Sequence, residues 1–264
     1  MKHEEFEGIL NMGGSILGNS RQPFKRINDA DENGVTKVQS MIKNYKNMDL
    51  DCLVVLGGNG SHKTANLLSE QGLNVVTLPK TIDNDINGTE MTFGFQSAID
   101  IATRTLEELH TTAKSHKRII IDEIMGNKAG FLTLYSGIAG EADIILIPEI
   151  PYSIDKIVEF INKKLNEGRR HIIIAAAEGI ISKEESKLTK KELKQKRATE
   201  NYTSAAVYLE KKLSEKVHRE IRAVVPGHIQ RGGSPCAYDK VLTSRLGAKG
   251  AELILNKEYG REDI

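Results

Sequence analysis

The sequence predicts an α/β fold in which parallel strands are covered by helices on both faces. Short apolar runs alternate with segments of 3.6-residue apolar period along the chain, which is the pattern of consecutive strand-helix units. Glycine-rich turns follow some of these runs, and open parallel sheets bind ligands at the carboxyl ends of their strands.

In chain order, 52–56, 74–78, 118–123, 144–147, 171–176 and 222–225 read as strands, because each is a brief apolar run of strand length. Between them, 61–70, 95–109, 153–166, 203–213 and 237–255 carry apolar residues at helical spacing. The stretch 8–20 reads as a strand followed by a loop. Residues 182–197, SKEESKLTKKELKQKR, are lysine-rich with few apolar anchors, which suits a solvated helix or a mobile insertion better than a docking surface.

Composition narrows the function. The chain has 264 residues, with 37 basic side chains against 36 acidic ones. It can bury a sizeable core, and it carries no global field to recruit nucleic acid or an acidic membrane. Cys52 and Cys236 lack metal or redox spacing, which points to a reducing compartment. No apolar run approaches membrane length and the start MKHEEFEG has no signal core, so a soluble cytoplasmic protein is expected.

Two turns carry the clearest chemistry. In GGNGS, Gly58, Asn59, Gly60 and Ser61 follow a strand and open a helix, where backbone N–H groups can cradle phosphate and Ser61 can cap the helix. The spacing is not that of a Walker loop. In PKTIDND, Thr81, Asp83 and Asp85 end the next strand. Aspartates two apart in an extended stretch point to one side, and one of them can serve as a base. Arg21, Arg118, Arg222 and Arg231 recur at strand and loop boundaries, and guanidinium geometry suits phosphate oxygens. His228 sits three residues from Arg231 beside two glycines. Glu178 ends IIIAAAEG, where an unpaired carboxylate is costly unless it faces a cleft, so a hydroxyl-binding role is expected.

Taken together, GGNGS, PKTIDND, SHKR, IMGNKAG, AAAEG and GHIQRGGSP resemble the phosphofructokinases in order and spacing. The resemblance implies two similar Rossmann-like parallel-sheet domains with the active site in the cleft between them. A phosphoryl-donor domain would comprise 1–94 plus 232–264, and a sugar-phosphate domain 95–231, carrying the charged insertion at 182–197. It implies transfer of a phosphoryl group from ATP to the 1-hydroxyl of fructose 6-phosphate with Mg²⁺. Asp83 would be the base, Thr81 and Asp85 would shape its pocket, and Arg21 would bridge the substrates. Met125, Gly126 and Glu178 would line the sugar, His228 and Arg231 would grip the 6-phosphate, and Arg118 and Arg222 would reach it from a neighbouring copy. A homo-oligomer with shared sites follows.

The sequence also departs from the family pattern. Asn59 stands where the family has an aspartate serving magnesium, and Asn127 replaces an arginine beside Lys128. Gly60 resembles ATP users, whereas Lys80 is common among pyrophosphate users; pyrophosphate is the alternative donor. Nothing before Gly8 matches the family's opening strand and glycine turn. An incomplete first domain, and a chain that is not a competent kinase as written, are therefore expected. A non-catalytic relative that binds sugar phosphate is the rival of a different class.

Overall fold

The computed structural model describes residues 3–19 and 23–260. Its main elements run α1 (Lys37–Asn47), β1 (Leu53–Gly57), α2 (Asn59–Glu70), β2 (Val75–Thr81), β3 (Phe93–Gly94), α3 (Phe95–His116), β4 (Ile119–Ile124), α4 (Phe131–Ala139), β5 (Ile144–Leu146), α5 (Ile154–Asn166), β6 (Ile172–Ala177), α6 (Lys190–Thr199), α7 (Ala205–Ser214), β7 (Ile221–Val224) and α8 (Ala237–Leu255). They form two compact units, one reaching to Phe95 and resuming at Gly233, the other Gln96–Gly232.

The first unit holds a parallel sheet in the order β1-β2-β3. Branched residues make β1 and β2, and one face buries Val75 against Ala65 and Leu68 of α2, with Val38 of α1 and Ile27 in the same core. A reciprocal capping box between Thr36 and Gln39 starts α1. β1 is an edge strand, and Val54 and Leu56, alternating with its inward residues, are exposed.

The second unit holds a four-stranded parallel sheet in the order β5-β6-β4-β7. β6, IIIAAA, is buried at every position, as a central parallel strand covered on both faces must be. On one face, Ile172 and Ile174 of β6 and Ile119 and Ile121 of β4 pack with Ile157 and Ile161 of α5 and Leu209 and Leu213 of α7. Glu123 Oε2 accepts the Ala206 N–H at 2.8 Å. That carboxylate sits at the positive end of α7 and fixes it to β4.

Several expectations change. Residues 8–19 contain a 3-10 turn at Ile9–Asn11 and no strand. Gly8, Gly14 and Gly18 all adopt positive φ, which breaks an extended path, and Leu10, Met12, Ile16 and Leu17 are exposed. The lysine-rich segment takes the first of its two expected forms, a helix, α6, started by a Thr189–Glu192 capping box. Arg197 anchors it by donating to Glu185 Oε1 at 3.0 Å and to the Ile180 carbonyl at 2.9 Å, with its guanidinium 4.2 Å from the Tyr202 ring centre. The helices α1 and α4 were not expected. In α4, FLTLYSGIA, apolar residues fill nearly every position, so no polar face marks a helical period.

One core residue opposes the fold. Asp122 in β4 is fully buried, and neither carboxylate oxygen has a hydrogen-bond partner among the described residues. Burial, with the neighbouring Glu123 charge second, pushes its pKa up to about 8. An unfolded aspartate ionises near about 3.9. Between those values the unfolded chain has released a proton that the folded chain keeps, so stability falls as pH rises through this window. Asp122→Val is expected to raise the thermal midpoint, with a gain on the order of 1–3 kcal/mol that grows from about pH 5 to pH 8. Thermal unfolding across that range checks it; no gain at pH 8 would contradict the assignment.

Candidate active-site elements

In the first unit the two turns lie side by side. β1 ends at Gly57, and α2 begins after Gly58, whose φ of −91° and ψ of −168° make it an extended N-cap; no side chain caps the helix. Ser61 occupies the third helical position, so its hydroxyl does not cap α2 as expected. A Cβ at Gly57 would lie 2.2 Å from Ser61 Oγ, which is why the turn needs glycine there. By position, the amides of Asn59 and Gly60 have no acceptor within the helix and are available to an anion. A Cβ at Gly58 would lie 3.5 Å from that of Thr81, the last residue of β2.

The loop after β2 is folded back and not extended. Thr81 Oγ1 accepts the Asp83 N–H at 3.1 Å, and Asn84 takes a left-handed φ of 49°. Asn84 Oδ1 accepts the Thr92 N–H at 2.8 Å, while Thr92 Oγ1 donates to the Thr81 carbonyl at 2.7 Å. The two-residue alternation expected for Asp83 and Asp85 therefore does not apply. Asp83 is partly buried. Asp85 faces Asn59, whose Nδ2 donates to the Asp85 carbonyl at 2.8 Å and to its Oδ2 at 3.0 Å. An aspartate at position 59 would set two carboxylates against each other unless a cation lay between them; here the amide N–H groups occupy that place.

No group of three or more His, Cys, Asp or Glu among the described residues is arranged to hold a metal. The donors present, the Asp85 carboxylate and the Asn59 amide oxygen, fit Mg²⁺ that is held chiefly by substrate phosphates and water. A cavity of about 400 Å³ opens beside α2, lined by Asn59, His62, Lys63 and Asn66 from one face of the helix and by Phe24 and Ile86.

In the second unit, side chains secure the strand ends. Glu178 is paired, contrary to expectation: its Oε1 accepts the N–H of Gly126 at 3.1 Å and of Asn127 at 2.6 Å. The turn demands its residues. Gly126 has φ 143° and a Cβ there would lie 2.5 Å from the Ala129 carbonyl oxygen. Asn127 is left-handed at φ 53°, a conformation that asparagine tolerates better than arginine. Gly179 lets the turn pass, because its Cβ would lie 2.1 Å from the Asn127 oxygen. Met125 is partly buried, and its N–H goes to Gln230 Oε1 at 3.0 Å.

Gln230 is the residue that sequence reasoning missed. It is 1% exposed and also donates from Nε2 to the Glu123 carbonyl at 3.1 Å. It thereby docks the 3-10 turn Gly227–Arg231 on the end of β4, leaving the side chains of His228 and Arg231 exposed with no hydrogen bond or ion pair among the described residues. Arg118 and Arg222 lie at the opposite ends of strands β4 and β7 from this turn or along them, and both reach Glu220: Arg118 Nε to Oε2 at 2.7 Å, Arg222 Nη2 to Oε1 at 2.5 Å. The Arg118 guanidinium, with Arg222, holds the Glu220 carboxyl below the usual carboxylate range. Asp239 of α8 was also missed; buried, it accepts the Gly94 N–H at 3.0 Å and ties α8 to β3. Arg21 lies outside the described residues.

Gln230→Leu removes both bonds while keeping the apolar volume, leaving the Met125 N–H and the Glu123 carbonyl without their partner. The expected cost is about 2–4 kcal/mol of stability, with faster amide exchange at Met125. Chemical denaturation and amide exchange check it, and unchanged Met125 protection would contradict the docking role.

The phosphofructokinase family profile matches residues 1–254. The ATP-dependent 6-phosphofructokinase of Spirochaeta thermophila is 49% identical over 97% of this chain and 71% of its own length. ATP-dependent 6-phosphofructokinase 3 of Bacteroides thetaiotaomicron is 43% identical over 98% of this chain and 71% of its own. Among solved structures, phosphofructokinase from Saccharomyces cerevisiae superposes with a TM-score of 0.77 at 28% identity, over 97% of this chain and 35% of the yeast chain. Sequence and fold thus match proteins of one kind, and this chain belongs to the phosphofructokinase family.

Proposed function

We propose that the protein is an ATP-dependent 6-phosphofructokinase, moving the terminal phosphoryl group of ATP to the 1-hydroxyl of fructose 6-phosphate. The observation that carries this reading is the pairing of an uncapped helix N-terminus at Asn59 and Gly60 with the Thr81–Asp85 loop through Asn59 and Gly58. A phosphoryl cradle and an acidic loop then belong to one local structure. Relatives named ATP-dependent 6-phosphofructokinases support the same donor and acceptor.

Phosphoryl transfer needs positioning and charge neutralisation more than covalent help. The Asn59 and Gly60 amides would bind donor phosphate oxygens, with Ser61 offering a hydroxyl and the cavity beside α2 room for the rest of the nucleotide. Asp83 would take the proton from the attacking hydroxyl, held in its loop by the bond from its N–H to Thr81 Oγ1. Mg²⁺, held by donor phosphates with Asp85 and Asn59, would supply neutralising charge. On the sugar side, Glu178 keeps Oε2 for a hydroxyl while Oε1 holds the Met125–Gly126–Asn127 turn. His228 and Arg231, whose side chains have no partner among the described residues, would present donors to the 6-phosphate. Arg118 and Arg222 would meet the 6-phosphate bound by a second copy, which makes the working enzyme a homo-oligomer.

Replacing the base tests the reading most simply. Asp83→Asn is expected to lower kcat by roughly 10²–10⁴ while fructose 6-phosphate binding stays largely intact. Formation of fructose 1,6-bisphosphate in a coupled assay checks it, and near-normal turnover would refute the role.

Gly60 tests the donor. A Cβ there meets nothing within 4 Å, so the free protein has room for a side chain. Gly60→Asp is therefore expected to leave thermal stability nearly unchanged and to raise the KM for ATP at least about tenfold, through charge and steric conflict with its phosphates. An unchanged KM would place the nucleotide elsewhere.

Asn59→Asp should shift the Mg²⁺ midpoint of turnover to lower concentration, because a second carboxylate beside Asp85 strengthens hard-cation binding. A titration at fixed ATP reads this directly. Coincident midpoints would show that position 59 does not meet the ion.

A further inference from the structure

We infer that Glu220 is a positioning residue that makes one anion-binding clamp of Arg118 and Arg222. The inference rests on the proposed role of those arginines and adds the group that aligns them. Strands β4 and β7 pair in parallel with Ile119 opposite Ile221, which sets residues 118 and 220 beside each other, and the Ile119 N–H donates to the Glu220 carbonyl at 3.0 Å. Arg222, two residues beyond Glu220, returns to the same side of the sheet. One carboxylate therefore reaches both guanidiniums with one oxygen each: Oε2 to Arg118 Nε at 2.7 Å and Oε1 to Arg222 Nη2 at 2.5 Å.

The pattern of donors separates positioning from occupation. A guanidinium carries five N–H donors. Each arginine gives Glu220 one of them, and these are the only hydrogen bonds either side chain makes among the described residues. The remaining donors of both stay uncommitted. Arg118, Arg222 and Glu220 keep 28%, 58% and 41% of their side-chain surface exposed, so the clamp opens to solvent. The triad retains one net positive charge. Without the carboxylate, two guanidiniums held on adjacent strands would repel, and each would regain the rotamer freedom of a long exposed side chain. Binding a phosphate would then have to order both.

The ion pairs are surface pairs and contribute little to folding. The expected effect therefore falls on affinity for the phosphorylated substrate, and a role confined to stability predicts the reverse. The experiment compares the full chain with Glu220→Gln and Arg222→Ala, measuring fructose 6-phosphate binding by calorimetry, KM and kcat by coupled assay, and the thermal midpoint. Glu220→Gln is expected to weaken binding and raise KM about fivefold to twentyfold, with kcat within about twofold and the midpoint within about 2 °C. Unchanged or tighter binding in Glu220→Gln, with weaker binding in Arg222→Ala, would overturn the inference while leaving the role of the arginines intact. Unchanged binding in both variants would remove the arginines from the phosphate site and the inference with them. A wild-type chain that neither binds nor phosphorylates fructose 6-phosphate would refute the proposed function and, with it, this assignment.

Discussion

Where a parallel strand ends, the next backbone amides and carbonyls have no neighbouring strand to pair with, yet they must still be satisfied. The sites of this protein are built on that constraint. At the end of β4 the Met125, Gly126 and Asn127 amides go to Gln230 and Glu178, and the Glu123 carbonyl goes to Gln230. After β2 the Asp85 carbonyl goes to Asn59 and the Thr81 carbonyl to Thr92. At β3 the Gly94 amide goes to Asp239. Each partner is a side chain from elsewhere in the same unit, so satisfying the strand ends also fixes the candidate site residues in place.

Glycine serves the same end from the other side. Gly57, Gly126 and Gly179 sit where a Cβ would collide with Ser61, Ala129 or Asn127. These close approaches let a turn lie against its neighbour with its amides facing inward or toward a ligand. The departure at Asn127 fits this picture: asparagine accommodates the left-handed backbone, and its amide is one of the two that Glu178 receives. The departure at Asn59 is likewise local. Its amide bridges to Asp85 by hydrogen bonds where an aspartate would need a cation.

Much of the fold was legible because buried parallel strands are written as continuous apolar runs. The run at 171–176 marked β6 within a residue, and 118–123 marked β4 as closely. The β3 strand, Phe93–Gly94, is too short to leave a pattern. In 8–19, apolar residues mixed with positive-φ glycines imitated a strand that has no partner. In the candidate site the exposed, chemically conspicuous residues were readable, while those that hold them were not. Gln230 lies between His228 and Arg231 in the chain yet points inward, and nothing in GHIQRGGSP says which of its side chains turns toward β4. Glu178 stood out as a carboxylate at a strand's end, but the backbone groups it holds lie 51 and 52 residues away. Asp122 gave no signal, since an aspartate in an apolar run reads as an exception until its burial is known.

The central claim is that these side-chain bonds hold the strand-end turns in place before any ligand binds. Amide hydrogen exchange on the ligand-free protein tests it directly, read at Met125, Gly126 and Asn127 against the β4 amides of 120–124. Protection at the three turn amides within about tenfold of that in the strand is the predicted result. Exchange at the rate of an open loop would show that the turns form only around substrate, and that the bonds from Glu178 and Gln230 do not build the site.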